Sequence, residues 1–275
     1  MLTIGVIRKD AWAKMFGIYT QQLIKDKTTL DAVIVYFDSE KDLMNALSAG
    51  KVAVVPRPMR ELSITLPNGI VITAVSERQM TSQSLIIPKK NTDENQLLFL
   101  KQHAKVNLQN DISRLQFIEF RADLVAETHD LTPLQSIEKL NQGDFDACVI
   151  PSISVQVMAL SSDDCTIIPF SPKELITEPG HGITAFLTAA DDLTTRRQLK
   201  VLHTPSVSAL SNVERRLKQL FNDTDIAAYC EKDRANNYHL WAAAIINNEL
   251  KKTRLSQSTH FELAERCYEK LHQLK

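Results

Sequence analysis

The sequence predicts an α/β protein made of two hinged α/β lobes with a small C-terminal α+β domain. Short β-branched runs alternate with helical windows whose apolar residues recur at three and four positions. A polar stretch, NTDENQ at 91–96, interrupts the alternation and reads as a crossing linker with a capping signal. A strand-like run at 182–188 then follows a Pro-Gly pair and reads as a return to the first lobe. The expected limits are 1–90 with 184–203 for lobe 1, 91–183 for lobe 2, and 204–275 for the C-terminal domain.

The elements follow in order. A strand is expected over Leu2–Ile7, then a helix with Ala11, Trp12, Met15, Phe16, Tyr19 and Leu23 on its buried stripe. Strand Ala32–Phe37 comes next, then a short helix around Asp42–Ala49. Val52–Val55 reads as a buried parallel strand, broken by Pro56 and Pro58. Leu66-Pro67-Asn68-Gly69 reads as a turn between this region and strand Ile70–Val75. Strand Ser84–Ile87 stops at Pro88, and Lys89–Lys90 form its solvated end. The second series has strand Leu124–Glu127, helix Pro133–Asn141 and strand Phe145–Ile150. From about Thr204 a helix, strands Ile226–Glu231 and His239–Ile246, and an amphipathic terminal helix are expected. Phe261, Ala264, Tyr268 and Leu271 line that last helix and read as core.

Composition narrows the function classes. The chain has 275 residues and a formal net charge of −1, so no global field attracts nucleic acid or an acidic membrane. No window is long and apolar enough to span a bilayer. The opening MLTIGVI reads as a strand and not as a signal peptide, and four cysteines without paired spacing fit a reducing cytoplasm. No Cys/His cluster has metal-ligand spacing. His181, between two glycines, reads as a loop histidine.

Candidate chemistry gathers at 51–67, KVAVVPRPMRELSITLP. Arg57, Arg60 and Glu61 lie just past an expected strand end, where open α/β sheets bind ligands. Two guanidiniums and a carboxylate suggest an anion site containing an acid or base. The other reading is a solvated loop whose charges pair with each other.

The same segment resembles the active-site strand and loop of the porphobilinogen deaminase (hydroxymethylbilane synthase) family, close to A-L-x5-D-I-A-V-H-S-x-K-D-x-P. Ala46 and Leu47 open the match; Pro67 and Gly69 close it. The family's Lys-Asp pair falls on Arg60 and Glu61, and its His-Ser pair on Arg57 and Pro58. SERQM at 76–80 looks like E-R-E-D. FRADL at 120–124 looks like R-R-P-D-L. EKLNQGDFDACVI at 138–150 looks like K-L-x-x-G-x-Y-D-A-I-I-L. ITEPGHGITAF at 176–186 looks like L-P-A-P-G-Q-G-A-L-G-I, and 202–220 looks like the family's E-R helix.

The resemblance implies two hinged lobes like those of periplasmic binding proteins, with Pro179, Gly180 and Gly182 at the hinge. It implies a cytoplasmic transferase of tetrapyrrole and haem biosynthesis that condenses porphobilinogen to hydroxymethylbilane. Glu61 would stabilise cationic pyrrole and azafulvene intermediates and shuttle protons. Arg8, Lys9, Arg57, Arg60 and Arg114 would hold carboxylates.

The departures matter as much. Family enzymes carry a dipyrromethane cofactor on a cysteine in a loop reading L-x-G-G-C-x-x-P-x-G. This chain has LFNDTDIAAYC there, with Cys230 aligning beyond the loop on a strand, so no covalent cofactor is expected. Cys148, Cys165 and Cys267 read as packed small hydrophobes. Ile7, Ile112, Ser113, Asp130 and Ser136 replace family arginines. The alternative function is therefore a non-catalytic or repurposed relative that binds a small anion or a pyrrole between the lobes.

Overall fold

The computed structural model describes residues 1–222 and 224–274; Asp223, in the sequence segment that lacks the cofactor cysteine, and Lys275 lie outside them. The chain is α/β. In order it forms β1 (Leu2–Ile7), α1 (Ala11–Lys27), β2 (Ala32–Phe37), α2 (Glu40–Ser48), β3 (Val55–Pro58), β4 (Ile70–Val75) and β5 (Gln83–Pro88). Then come β6 (Lys105–Leu108), α3 (Asp111–Ile118), β7 (Val125–Thr128), α4 (Pro133–Gln142), β8 (Ala147–Pro151), α5 (Ser152–Val157) and β9 (Cys165–Phe170). The chain continues through β10 (Thr184–Ala189), α6 (Leu193–Leu199), α7 (Pro205–Leu220), β11 (Ile226–Lys232), β12 (Tyr238–Ile246), β13 (Glu249–Gln257) and α8 (Leu263–Gln273). It divides into two compact units. Unit 1 is Met1–Arg78 with Gly180–Asn212, and unit 2 is Gln79–Pro179 with Val213–Lys275.

In unit 1, β1 and β2 pair in parallel from Leu2↔Ala32 to Ile7↔Phe37. β3, β10 and β4 form an antiparallel ladder in that order. The expected strand Val52–Val55 is displaced. Residues 53–54 run beside β1, bonded from Ala53 and Val54 N–H to the Thr3 carbonyl and from Gly5 N–H to the Val54 carbonyl. The ladder strand proper, Val55–Pro58, passes through both prolines, with Pro56 opposite Phe186 and Pro58 opposite Thr184. It tolerates them because β3 is the edge of its ladder, so a missing N–H breaks no second pairing.

The buried face of α1 is also one step off the expected stripe: Ala13, Gly17, Thr20 and Ile24 face inward. A Cβ on Gly17 would stand 2.6 Å from Val6 Cγ1. Small residues let the helix approach β1 closely and turn its larger apolar groups to the flanks. Asp10 caps this helix by accepting from Trp12 and Ala13 N–H.

Unit 2 holds a five-stranded sheet, β7-β6-β8-β5-β9, parallel among its first three strands and antiparallel beyond. Its β11-β12-β13 sheet is antiparallel, with α8 against β12 and β13. Leu263, Ala264, Cys267 and Leu271 are the buried positions of α8, whereas Phe261 precedes the helix and is 70% exposed, contrary to its expected core role. Glu214 of α7, fully buried, accepts the Cys230 N–H at 2.7 Å and ties helix to strand.

The buried Arg121 of the FRADL motif serves structure. Its Nη1 donates to the carbonyls of Leu97 (3.0 Å) and Leu100 (2.7 Å), and its Nε to Asp123 Oδ1 (2.8 Å). The Arg121 hydrogen bonds hold the Asp123 carboxyl well below the ordinary carboxylate value, at about 2. A depressed folded pKa stabilises above the unfolded value of about 4. That contribution drains away as pH falls from about 4 to the folded value of about 2. Asp123→Asn is therefore expected to lower the urea midpoint near neutrality and to converge with the parent protein below that window. A constant offset between the two at every pH would contradict this.

Candidate functional site

The turn Met59–Glu61 follows β3 directly. Pro58 enters it extended (φ −57, ψ 126), and Leu62 N–H closes it onto the Met59 carbonyl. Met59 is 2% and Leu62 8% exposed, so two apolar anchors bracket a largely buried Arg60 and a half-exposed Glu61. The turn rests on a second one. Met59 N–H donates to the Ile183 carbonyl at 2.9 Å. Gly180, at φ 81, lies so close that a Cβ there would stand 2.7 Å from Met59 Cγ and 3.3 Å from the Arg60 nitrogen. The Pro-Gly-His-Gly segment thus backs the charged turn. Gly182 is also left-handed, at φ 75. His181, read from sequence as a loop histidine, is buried at 3% exposure. The chain passes from one unit to the other three times, between Arg78 and Gln79, between Pro179 and Gly180, and between Asn212 and Val213.

Three charged groups share this strand and turn. Arg57 Nη1 donates to Glu40 Oε2 at 3.0 Å, from a side chain 22% exposed. Its Nε is buried without a hydrogen-bond partner. Arg60 Nη2 stands 3.8 Å from Glu61 Oε1, an ion pair too long for a hydrogen bond. Glu61 is about half exposed, so this contact contributes little to stability. Ser39 caps α2, which puts Glu40 in its first turn and within reach of Arg57.

The carboxyl ends of the parallel pair carry a second set. Arg8 Nε bonds Asp38 Oδ1 at 3.0 Å, and its guanidinium lies 5.7 Å from the Tyr36 ring centroid. Lys9 beside it is exposed. Arg8, Lys9, Arg57, Arg60 and Glu61 all belong to unit 1. Arg114 lies in unit 2, on α3, where its Nε bonds Asp111 Oδ1 at 2.9 Å. The Glu40 contact escapes a sequence reading because its partner is 17 residues away and depends on where α2 begins.

All four cysteines are buried, and none is in a disulfide. Burial pushes the Cys148 and Cys267 thiols up to about 12 and raises that of Cys165. Cys230 sits within β11 at 0% exposure. The native protein is therefore expected to resist an aromatic disulfide reagent at mildly alkaline pH and to titrate its four thiols only in denaturant. Rapid native labelling of Cys230 would contradict the burial. Among the described residues no group of histidines, cysteines and acids has the makings of a metal site, and no helix is long and apolar enough to cross a membrane.

The family model described as "Porphobilinogen deaminase, dipyromethane cofactor binding domain" matches residues 32–197, well over half of the chain. A porphobilinogen deaminase of Chlorobaculum parvum is 27% identical over 179 residues, covering 64% of this chain and 55% of that protein. One from Sulfurimonas denitrificans is 24% identical over 143 residues, covering 52% and 44%. The chain spans about half the length of the curated relatives it matches. Among solved structures, a periplasmic substrate-binding protein of an ABC transporter from Coxiella burnetii aligns at a TM-score of 0.48 and 18% identity, covering 81% of this chain and 98% of that one. On the extent of the family-model match, the chain belongs to the porphobilinogen deaminase family.

Proposed function

We propose that the chain is a porphobilinogen deaminase-type protein of tetrapyrrole biosynthesis that takes a carboxylate-bearing pyrrole at the Met59–Glu61 turn without holding a covalent dipyrromethane. The observation that carries this reading is the gathering of Arg57, Arg60 and Glu61 on one strand-and-turn segment. Porphobilinogen bears two carboxylates and a cationic aminomethyl group. Two guanidinium forks suit the first and a carboxylate suits the second.

A dipyrromethane attached through sulfur needs an accessible thiolate. The residues present do not fit such an attachment. Each thiol is buried, and Cys230 is packed within a strand, its N–H committed to Glu214. Isothermal titration with porphobilinogen tests the reading. Saturable binding that Arg60→Ala weakens supports it; no binding by the parent protein overturns it.

Retention of a carboxylate at Glu61, about half exposed beside Arg60, favours one further reading: that the chain condenses porphobilinogen. Ammonia release from porphobilinogen, abolished by Glu61→Gln, would establish that reading. It would need a mechanism independent of a resident thioether.

A further inference from the structure

We infer that Arg78 is the positioning residue of the Met59–Glu61 turn, an inference that rests on reading this turn as the pyrrole-carboxylate site. Arg78 stands three residues past β4, half-buried, where the chain leaves the β3-β10-β4 ladder. Its Nε–H donates to the His181 carbonyl at 3.1 Å. That carbonyl lies in the middle of the tight turn closed by Ile183 N–H onto the Gly180 carbonyl at 3.2 Å.

Both ends of this tight turn bear on Met59. At one end Gly180 packs against the Met59 side chain; at the other the Ile183 carbonyl accepts the Met59 N–H. The next residue, Thr184, is fixed to Ser76 by two bonds: Ser76 N–H to the Thr184 carbonyl at 2.9 Å, and Thr184 N–H to Ser76 Oγ at 3.0 Å. The strand side of the turn is therefore held by Ser76. Its apex, with a left-handed glycine on either side of His181, is held through the His181 carbonyl by Arg78.

A guanidinium on a carbonyl is a charge-assisted bond. Without it the apex loses its charge-assisted hold at a point flanked by two left-handed glycines. Met59 then loses a fixed support, and Arg60 and Glu61, the next two residues, lose their direction. A displacement on the order of 1 Å at such groups is enough to degrade ligand positioning. Arg78 touches no reacting atom in this scheme; it acts through His181, Gly180 and Met59.

The test compares Arg78→Met, which keeps the stem and removes the donor, with Arg78→Lys, which keeps a charged donor. Amide exchange followed by mass spectrometry reads the turn directly, and porphobilinogen titration reads the site. In Arg78→Met the peptide covering residues 58–64 should exchange about tenfold faster, with porphobilinogen affinity about tenfold weaker, and the peptides of α1 and β2 unchanged. Arg78→Lys should restore most of both. Unchanged exchange over 58–64 overturns the inference, and so does faster exchange spread through all of unit 1, which would mark a structural residue only. The expected exchange pattern in a protein that binds no porphobilinogen upholds Arg78 as the support of the turn and sinks the pyrrole reading instead.

Discussion

Gly180→Ala is expected to destabilise unit 1 by about 2–4 kcal/mol, from left-handed strain and overpacking together. The backbone there has φ 81, which an L side chain adopts at a cost, and the added Cβ would meet Met59 Cγ at 2.7 Å and Met59 Cβ at 3.0 Å. Neither neighbour yields easily: Met59 is 2% exposed and its N–H is committed to Ile183. The urea midpoint measures the loss. Because the clash falls on the support of Arg60 and Glu61, porphobilinogen binding should weaken with it. A variant with parental stability would show that the two turns are not in the close contact described.

The second large effect concerns binding. Replacing Arg57 and Arg60 together by alanine should weaken porphobilinogen binding about a hundredfold, since two charge-assisted contacts are lost. The urea midpoint should fall as well, because both side chains are largely buried, at 22% and 18% exposure, and their stems pack. Glu40 and Glu61, two of the carboxylates left behind, are about half exposed and are readily rehydrated, so the loss comes mainly from packing. The Lys/Lys variant should fall between, because ammonium groups keep charge but not the two-pronged geometry. Calorimetric titration separates the three proteins. Equal affinities would place the carboxylate-binding groups elsewhere.

Some strands of this fold are legible in the sequence and others are not, and the residues explain the difference. β1, β2 and β4 begin and end where their β-branched runs do, because strands that bury a face need such residues along their whole length. β13 carries no such signal: ELKKTRLSQ interleaves charges with small and apolar groups at the edge of its sheet. β6, KVNL, is a four-residue strand that its pairing rather than its composition defines, whereas β9, CTIIPF, holds a β-branched run that Pro169 cuts short. The buried face of α1 differs from its hydrophobic stripe because large residues dominate the periodicity, whereas close approach to β1 selects Gly17 and Ala13.

The site shows the same split. Arg57, Arg60 and Glu61 are neighbours in sequence and stand out as a group. Their supports do not. Gly180 meets Met59 from more than a hundred residues away, and Arg78 reaches the His181 carbonyl across a similar span. Long-range backbone contacts of this kind leave no local pattern. The burial of Cys230 follows from its place in a strand; its bond to Glu214 has no signature in the sequence.

Paired mass measurements after incubation with porphobilinogen test the central claim most directly. Under native conditions an added mass equal to porphobilinogen is expected, lost in the Arg57→Ala, Arg60→Ala double variant. Under denaturing conditions the mass of the unmodified sequence is expected. A pyrrole increment that survives denaturation and disappears in Cys230→Ala would contradict the claim.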